Sequence, residues 1–137
     1  MKSLEIVLIE DNPGDVHLVE LSLKEHEIPY HLTHFECGSD AVLNLCDRAS
    51  ETEIPDVILM DLNTPRTDGF AALVRLRQSA RLAAVPIAIL TSSRAQVDKH
   101  RAAIQGARYI EKPSQLSEFL ATIGQAVKEM VSVRAYS

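Results

Sequence analysis

The sequence lacks the features that mark several common classes of protein. It contains only two cysteines, Cys37 and Cys46, and their spacing matches neither a CxxC redox motif nor a metal site. We expect both thiols to be reduced and to serve mainly in packing. No apolar run is long enough to span a membrane, and the N-terminus leads into a predicted strand rather than a signal peptide. These absences predict a cytoplasmic protein with no membrane partner.

Positive charge is also scarce. The chain has 14 lysine and arginine residues against 19 aspartates and glutamates, a net charge of −5, and the basic residues form no run. Binding to nucleic acid through phosphates needs the opposite balance, so we expect no nucleic-acid partner. The sequence shows no repeat, low-complexity tract or interdomain linker. With 137 residues, 46% of them hydrophobic, it predicts a single domain, residues 1–137, around a substantial core.

Short apolar segments alternate strictly with segments of helical periodicity. Strands are predicted at residues 4–9, 30–35, 56–60, 86–90 and 108–111, the second with the polar alternation of an edge strand. Helices are predicted after each strand, the first, second and fifth capped by Asp15, Ser39 and Ser114, the third following Gly69 and the fourth spanning about 95–105. This order predicts an α/β fold, a doubly wound five-stranded parallel sheet of flavodoxin-like order 2-1-3-4-5 with five helices.

Polar side chains follow four of the predicted strands where those strands end. Asp61 comes directly after a run of four apolar residues, where a carboxylate lacks both solvent and a basic neighbour in sequence. An alternative is that Asp61 only caps the turn that follows it. Glu10 and Asp11 follow the first strand, Thr91 ends the fourth and Lys112 follows the fifth.

In the predicted strand order the first and third strands are neighbours, so three carboxylates would crowd together at one edge of the sheet. Such a cluster is costly without a cation, and oxygen ligands suit Mg²⁺, with the Asn63 carbonyl placed to complete the shell. Mg²⁺, a carboxylate nucleophile, a lysine and a hydroxyl together predict a phosphoryl-transfer site. Asp61 would form an aspartyl phosphate, and Lys112 and Thr91 would balance charge on the phosphoryl oxygens.

These residues belong to a set of motifs that occur together in one family. The motifs are Glu10-Asp11, Asp61 with Pro65 and Asp68-Gly69 after it, Pro86, Thr91-Ser92 and Lys112-Pro113. Over essentially its whole length the chain resembles a response-regulator receiver domain of two-component signalling. The resemblance implies that Asp61 accepts phosphate from the histidine of a sensor kinase. It further implies that Glu10, Asp11 and the Asn63 carbonyl bind Mg²⁺, and that Lys112 contacts the phosphoryl group.

The resemblance also implies a switch pair, Thr91 and Tyr109. In the family the hydroxyl moves toward the phosphate and the aromatic ring turns inward. These movements reshape the face formed by the fourth helix, the fifth strand and the fifth helix.

A narrower resemblance is to the stand-alone regulators that partner bacterial phytochrome kinases. It is carried by the sequence from Glu10 to Asp15 and by Asp61-Leu62-Asn63. Thr64 and Arg66 depart from the residues often seen after the phosphoacceptor, which bears on the lifetime of the phosphoryl group rather than on the chemistry.

About 25 residues follow Lys112, enough for one helix from about residue 114 and a short tail, so we expect no DNA-binding or catalytic output domain. The expected function is a phosphorylation-dependent change in partner binding, with catalysis confined to the protein's own phosphorylation and dephosphorylation. Val131 and Val133 suggest a homodimer through the C-terminal helix face, with a frayed tail as the alternative.

Three other functions remain open at this point. The protein could be a phosphorelay shuttle that passes its phosphate to a histidine phosphotransfer protein. It could be an interaction module that is not phosphorylated and binds no Mg²⁺. It could also be a Mg²⁺-dependent phosphohydrolase, although such enzymes usually need a second acid two residues after the nucleophile, where this chain has Asn63.

Overall fold

Five parallel strands form one sheet in the order β2-β1-β3-β4-β5. The computed structural model describes residues 2–47, 53–65 and 68–135, with side chains as far as Ser132. The strands are β1 (Leu4–Ile9), β2 (Tyr30–Phe35), β3 (Val57–Met60), β4 (Ile87–Thr91) and β5 (Arg108–Glu111). The predicted strand order and parallel pairing are thereby confirmed, and the strand boundaries agree with the sequence to within one residue.

The burial of each strand follows from its place in the sheet. All residues of the central strands β3 and β4 are buried, which explains their continuous apolar sequences. Strand β2 lies at an edge and is only partly buried, as its polar alternation predicted. In register, Ile9 pairs with both Phe35 and Met60, so β1, β2 and β3 end level with one another. The residues that follow these strands therefore lie along one edge of the sheet.

Five helices cover the two faces of the sheet. They are α1 (Pro13–Glu25), α2 (Gly38–Val42, continued by a π-helical turn at Leu43–Asp47), α3 (Gly69–Gln78), α4 (Gln96–Ile104) and α5 (Leu116–Ala135). One apolar cluster joins α2, α3 and α4 to the sheet, and a second joins α1 and α5 to the other face. The predicted doubly wound arrangement is thus confirmed. Among the described residues no helix has both the length and the apolar character needed to cross a bilayer.

The predicted cap of α1 was wrong. Asn12, not Asp15, is the N-cap, because its side chain accepts hydrogen bonds from the backbone N–H groups of Gly14 and Asp15. Pro13 favours this start, since proline is preorganised for the first helical position and has no N–H to satisfy. The carboxylate of Asp15 is therefore available for another contact.

The predicted caps of α2 and α5 were also wrong. Helix α2 begins at Gly38 with Cys37 as an N-cap that makes no side-chain hydrogen bond, so Ser39 lies inside the helix. Helix α5 begins at Leu116, where the Phe119 N–H donates to the carbonyl of Gln115 rather than that of Ser114. Sequence patterns do not fix the first residue of a helix to within one or two positions. Predictions that concern Arg66 and the Val133 side chain lie outside the described residues.

Arg77 links three parts of the chain, namely α3, the segment between α3 and β4, and the residues that follow α4. From α3, its Nη1 donates to the carbonyl of Val85 at 2.7 Å, its Nε to Gln105 at 2.8 Å and its Nη2 to Gly106 at 3.0 Å. The carbonyls of Leu82 and Ala83 lie 3.4 Å from Nη1. Burial lowers the pKa of the Arg77 guanidinium, and these carbonyls satisfy its donors. The segment between α3 and β4 and the C-terminal end of α4 are thereby tied to α3.

We expect Arg77→Ala to lower the free energy of unfolding by about 2–3 kcal/mol, because it leaves several carbonyls without their charged donor. Arg75→Ala is the matched control, since Arg75 lies on the same helix and its ion pair, with Asp47 at 3.3 Å, is exposed. The control should cost less than about 1 kcal/mol. Urea denaturation of the three proteins measures both values, and equal losses would contradict the role given to Arg77.

Candidate functional site

The ammonium group of Lys112 lies among three carboxylates at the edge of the sheet. Its Nζ is 2.8 Å from Oε1 of Glu10, 2.8 Å from Oδ2 of Asp15 and 3.0 Å from Oδ2 of Asp61. Glu10 follows β1, Asp61 follows β3 and Lys112 follows β5, so residues far apart in sequence meet because the strands end together.

Backbone hydrogen bonds hold these side chains beyond the strands that carry them. The N–H of Glu10 donates to the carbonyl of Phe35 at 2.9 Å, and that of Asp61 donates to Ile9 at 2.9 Å. The N–H of Lys112 donates to the carbonyl of Thr91 at 2.7 Å. The backbone pairing of the sheet thus extends to the polar residues themselves.

Burial raises the free energy of the charged side chains in this site. Glu10 is 1% exposed and Asp61 is 7% exposed. Burial raises the pKa of Glu10 to about 7, and the charge of Asp61 adds to this effect, although the hydrogen bond from Lys112 opposes it. Burial alone would lower the pKa of Lys112, but hydrogen bonds to Asp15 and Glu10 and the charge of Asp61 raise it overall. One lysine therefore remains charged among more carboxylates than it can neutralise.

Glu10, Asp11 and Asp61 each present a carboxylate oxygen within 4.8 Å of the other two. Glu10 and Asp61 are buried while Asp11 is exposed, so the group opens to solvent on one side. Hard oxygen donors in this number suit a divalent cation such as Mg²⁺ or Mn²⁺. Asn63 is nearby, because its backbone N–H donates to Oδ1 of Asp61 at 3.0 Å. The donor set therefore fits a divalent metal.

A cleft of about 610 Å³ opens beside the acidic group, lined by residues that include Asp11, Asn63, Thr64, Phe70 and Arg101. The guanidinium of Arg101, on α4, lies 3.9 Å from the ring centre of Phe70, on α3, and so links the two helices beside the cleft. The buried hydroxyl oxygen of Thr64 has no hydrogen-bond partner among the described residues. Thr64 is thus a local departure from the rule that buried polar atoms are paired.

Gly69 explains part of the motif that follows Asp61. A Cβ at this position would lie 2.5 Å from the backbone oxygen of Leu62 and 2.6 Å from its Cα. Only glycine permits the loop after β3 to pass this close to the start of α3. Asp68 caps the same helix, accepting a hydrogen bond from the Phe70 N–H at 3.0 Å.

The two residues expected to act as a switch, Thr91 and Tyr109, meet at Ser93. The buried Oγ1 of Thr91 accepts a hydrogen bond from the Ser93 N–H at 3.2 Å, and the Tyr109 hydroxyl donates to the Ser93 carbonyl at 2.7 Å. The Ser93 hydroxyl in turn donates to Oδ2 of Asp98 in α4 at 2.6 Å. Ser93 therefore connects both residues to Asp98, in the first turn of α4.

Sequence reasoning missed two residues of this site, Asp15 and Ser93. Asp15 was assigned to helix capping, although its place in the first helical turn after the Glu10-Asp11 pair could have indicated a carboxylate near the site. No signal in the sequence identified Ser93, because its hydrogen bond from Tyr109 depends on how β5 packs beside β4.

Comparison with known proteins identifies the family. The sequence profile of the response regulator receiver domain matches residues 6–124. This chain belongs to that family. The receiver is 32% identical over 119 residues to Protein PilH of Pseudomonas aeruginosa, across 86% of this chain and 93% of PilH.

Solved structures of response regulators share the fold of this receiver. The crystal structure of the phosphorylated cyanobacterial phytochrome response regulator RcpA superposes with a TM-score of 0.85 at 25% identity, covering 96% of each chain. The Mn²⁺-bound form of response regulator Rcp1 gives a TM-score of 0.75 at 26% identity, covering 97% of this chain and 93% of Rcp1. The expected receiver domain is confirmed, and the chain is a response regulator of two-component signalling.

We expect the metal-free receiver to be destabilised by Glu10 as the pH rises. The folded-state pKa of about 7 lies above the ordinary 4.5, so the folded protein holds this proton more tightly than the unfolded chain. The resulting stabilisation is complete below the pKa that Glu10 has in the unfolded chain. It is lost as the pH rises through the pKa that Glu10 has in the folded protein. Glu10→Gln, which stays neutral, should gain about 1–3 kcal/mol over the wild type between about pH 5 and pH 8.

Urea denaturation in the presence of a chelator measures this difference at each pH. Glu25→Gln, which makes the same chemical change at an exposed position of α1, is the control and should show no such trend. A difference between Glu10→Gln and the wild type that does not change with pH would show that Glu10 is ionised throughout.

Proposed function

We propose that this receiver accepts a phosphoryl group on Asp61 from the phosphohistidine of a sensor kinase, and that phosphorylation changes which partner it binds. The observation that carries this proposal is the position of Lys112 Nζ, 3.0 Å from Asp61 and 2.8 Å from Glu10 within the acidic group. A buried carboxylate beside a fixed cation and a candidate metal site has the components that phosphoryl transfer requires.

In the proposed reaction an Oδ atom of Asp61 forms a bond to phosphorus as the bond between phosphorus and the kinase imidazole nitrogen breaks. The electron pair of that broken bond returns to the imidazole. Lys112 would bind a phosphoryl oxygen through its ammonium group, and the Thr91 hydroxyl would donate to another. Family membership and the convergence of these residues at one edge of the sheet support the assignment.

Glu10, Asp11, Asp61 and the carbonyl of Asn63 are the residues we propose to hold Mg²⁺. The bound ion would neutralise charge on the carboxylates and on the phosphoryl oxygens. Support comes from the oxygen donors of the three acids, which lie within 4.8 Å of one another, and from the solved relative Rcp1, which is described as Mn²⁺-bound.

The proposed output is a change in the surface formed by α4, β5 and α5. When Thr91 turns toward the phosphoryl group, its Oγ1 would leave the Ser93 N–H, and Tyr109 would adjust with the Ser93 carbonyl. Because Ser93 also bonds Asp98, the start of α4 would shift with it. The apolar side chains Val97 and Ile104, 63% and 66% exposed on α4, would move as part of that surface.

We propose that the cognate kinase is of the phytochrome type. The narrower sequence resemblance and the structural likeness to RcpA, a phytochrome response regulator, support this assignment. Phosphotransfer from a purified phytochrome kinase that is faster than transfer from kinases of other sensor classes would be the expected result, and equal rates would contradict it.

A homodimer through the C-terminal helix face is also proposed. Val131 is partly covered by its own chain and lines a small apolar cavity with Leu4 and Ile28, which leaves part of its surface for a second copy. Sedimentation velocity with and without a phosphoryl mimic tests this proposal, and a monomer under both conditions would contradict it.

We expect intact-mass spectrometry to detect one added phosphoryl group after incubation with acetyl phosphate and Mg²⁺. Asp61→Asn should abolish the adduct, because the amide is not a nucleophile of comparable strength. Omission of Mg²⁺ should reduce the adduct strongly, since the phosphoryl oxygens then lose their divalent counter-ion.

Asp56→Asn is the matched control, since Asp56 stands at the opposite end of β3, where its carboxylate accepts a hydrogen bond from the Glu5 N–H at 2.8 Å. That variant should be phosphorylated like the wild type. An adduct that persists in Asp61→Asn would assign the nucleophile to another residue, and no adduct in any protein would favour an interaction module that is not phosphorylated.

A further inference from the structure

Asp15 accepts one of the three hydrogen bonds that the Lys112 ammonium group can donate. A lysine ammonium has three N–H bonds, and here their acceptors are Glu10, Asp61 and Asp15. The first two belong to the acidic group that fits a divalent metal, but Asp15 does not. Asp15 comes instead from the first turn of α1, with a side chain 23% exposed, while Lys112 is 12% exposed.

Building on the proposed function, we infer that Asp15 is a positioning residue that holds Lys112 beside the phosphoacceptor and adds a negative charge that strengthens divalent-metal binding. Lysine has a flexible four-carbon stem, so its ammonium needs several fixed acceptors to remain in one place. Helix α1 supplies a rigid one, because Asn12 caps the helix and leaves the Asp15 side chain available.

The role of Asp15 becomes larger when the other two acceptors change partners. A metal held by Glu10 and Asp61, and a phosphoryl group on Asp61, would each draw those oxygens away from Lys112. Of the carboxylates that contact Lys112 in the described part of the chain, Asp15 alone is assigned neither of these tasks. It would therefore keep the ammonium group in the site throughout the phosphorylation cycle.

The charge of Asp15 has a separate consequence for the metal. Its carboxylate partly neutralises Lys112, and this weakens the repulsion that the lysine exerts on a cation held by Glu10, Asp11 and Asp61. Because the site is largely buried, this electrostatic effect is screened less than it would be at the surface. Asp15 should accordingly increase affinity for a divalent cation.

Two variants separate these effects. Asp15→Asn removes the charge but keeps an oxygen that can accept from Lys112, whereas Asp15→Ala removes both. Glu25→Gln, which removes an exposed charge from the last turn of the same helix, is the control. The chain contains no tryptophan, so Mg²⁺ binding is best followed by NMR of the backbone amides near Asp11 and Asn63.

We expect Asp15→Asn and Asp15→Ala to raise the Kd for Mg²⁺ by about 3–10-fold, and Glu25→Gln to change it less than about twofold. At saturating Mg²⁺, Asp15→Ala should be phosphorylated by acetyl phosphate about tenfold more slowly than the wild type, and Asp15→Asn should recover most of that rate. An unchanged Kd in Asp15→Asn, or a wild-type rate in Asp15→Ala, would overturn the inference.

The experiment distinguishes failure of this inference from failure of the proposed function. If the wild-type protein forms no phosphoryl adduct, the proposed function fails, yet the Mg²⁺ Kd still tests the effect of Asp15 on the metal. The NMR signal of the Lys112 ammonium group then tests positioning. It should be protected from solvent exchange in the wild type and in Asp15→Asn but not in Asp15→Ala, and equal protection in all three would overturn the positioning role.

Discussion

The buried ammonium of Lys112 is the interaction on which the edge of this sheet depends. Carboxylates as enclosed as Glu10 and Asp61 are tolerated only when hydrogen-bonded cations or metals compensate their charge. Lys112 supplies that compensation by joining β1, β3, β5 and α1 through contacts of 2.8–3.0 Å. The compensation is incomplete, because one positive charge faces several negative ones. This imbalance favours the binding of a divalent cation by the acidic group.

The excess of carboxylates over the single charge of Lys112 also affects the protonation of the residues around it. Burial raises the pKa of Glu10 to about 7, so a proton partly replaces the missing positive charge when no metal is bound. Lys112 stays charged because its acceptors outweigh its own burial. Asp15 belongs to this balance although it lies on α1 and outside the candidate metal group. The electrostatics of the receiver are thus distributed over four elements rather than confined to the loop that carries Asp61.

Helix α4 connects this site to the protein surface. Its N-terminal part is held by the hydrogen bond from Ser93 to Asp98. Its last turn is held by Arg101 over Phe70, and the residues that follow it by the contacts of Arg77 with the carbonyls of Gln105 and Gly106. Helix α4 buries few of its own side chains in the core, and these polar contacts do much to set its position. An element held in this way can change position at modest cost, which suits it to transmit a switch.

The sequence by itself determined the elements of the fold and their order. Apolar runs such as Val57–Met60 and the strict alternation with helical segments specify a doubly wound parallel sheet, because only that arrangement buries those faces with right-handed connections. It also indicated which polar residues follow the strands, since a carboxylate after a buried strand is costly wherever it lies. Tertiary structure alone decided the partners of Asp15, Ser93 and Arg77 and the residues that begin α1, α2 and α5. The bond between Asp15 and Lys112 joins residues far apart in the chain, and Arg77 reaches the distant carbonyls of Gln105 and Gly106 as well as the nearer one of Val85. The bond from Tyr109 to Ser93 depends on how β5 packs beside β4. The first residue of each helix is likewise not fixed by the local sequence to within one or two positions.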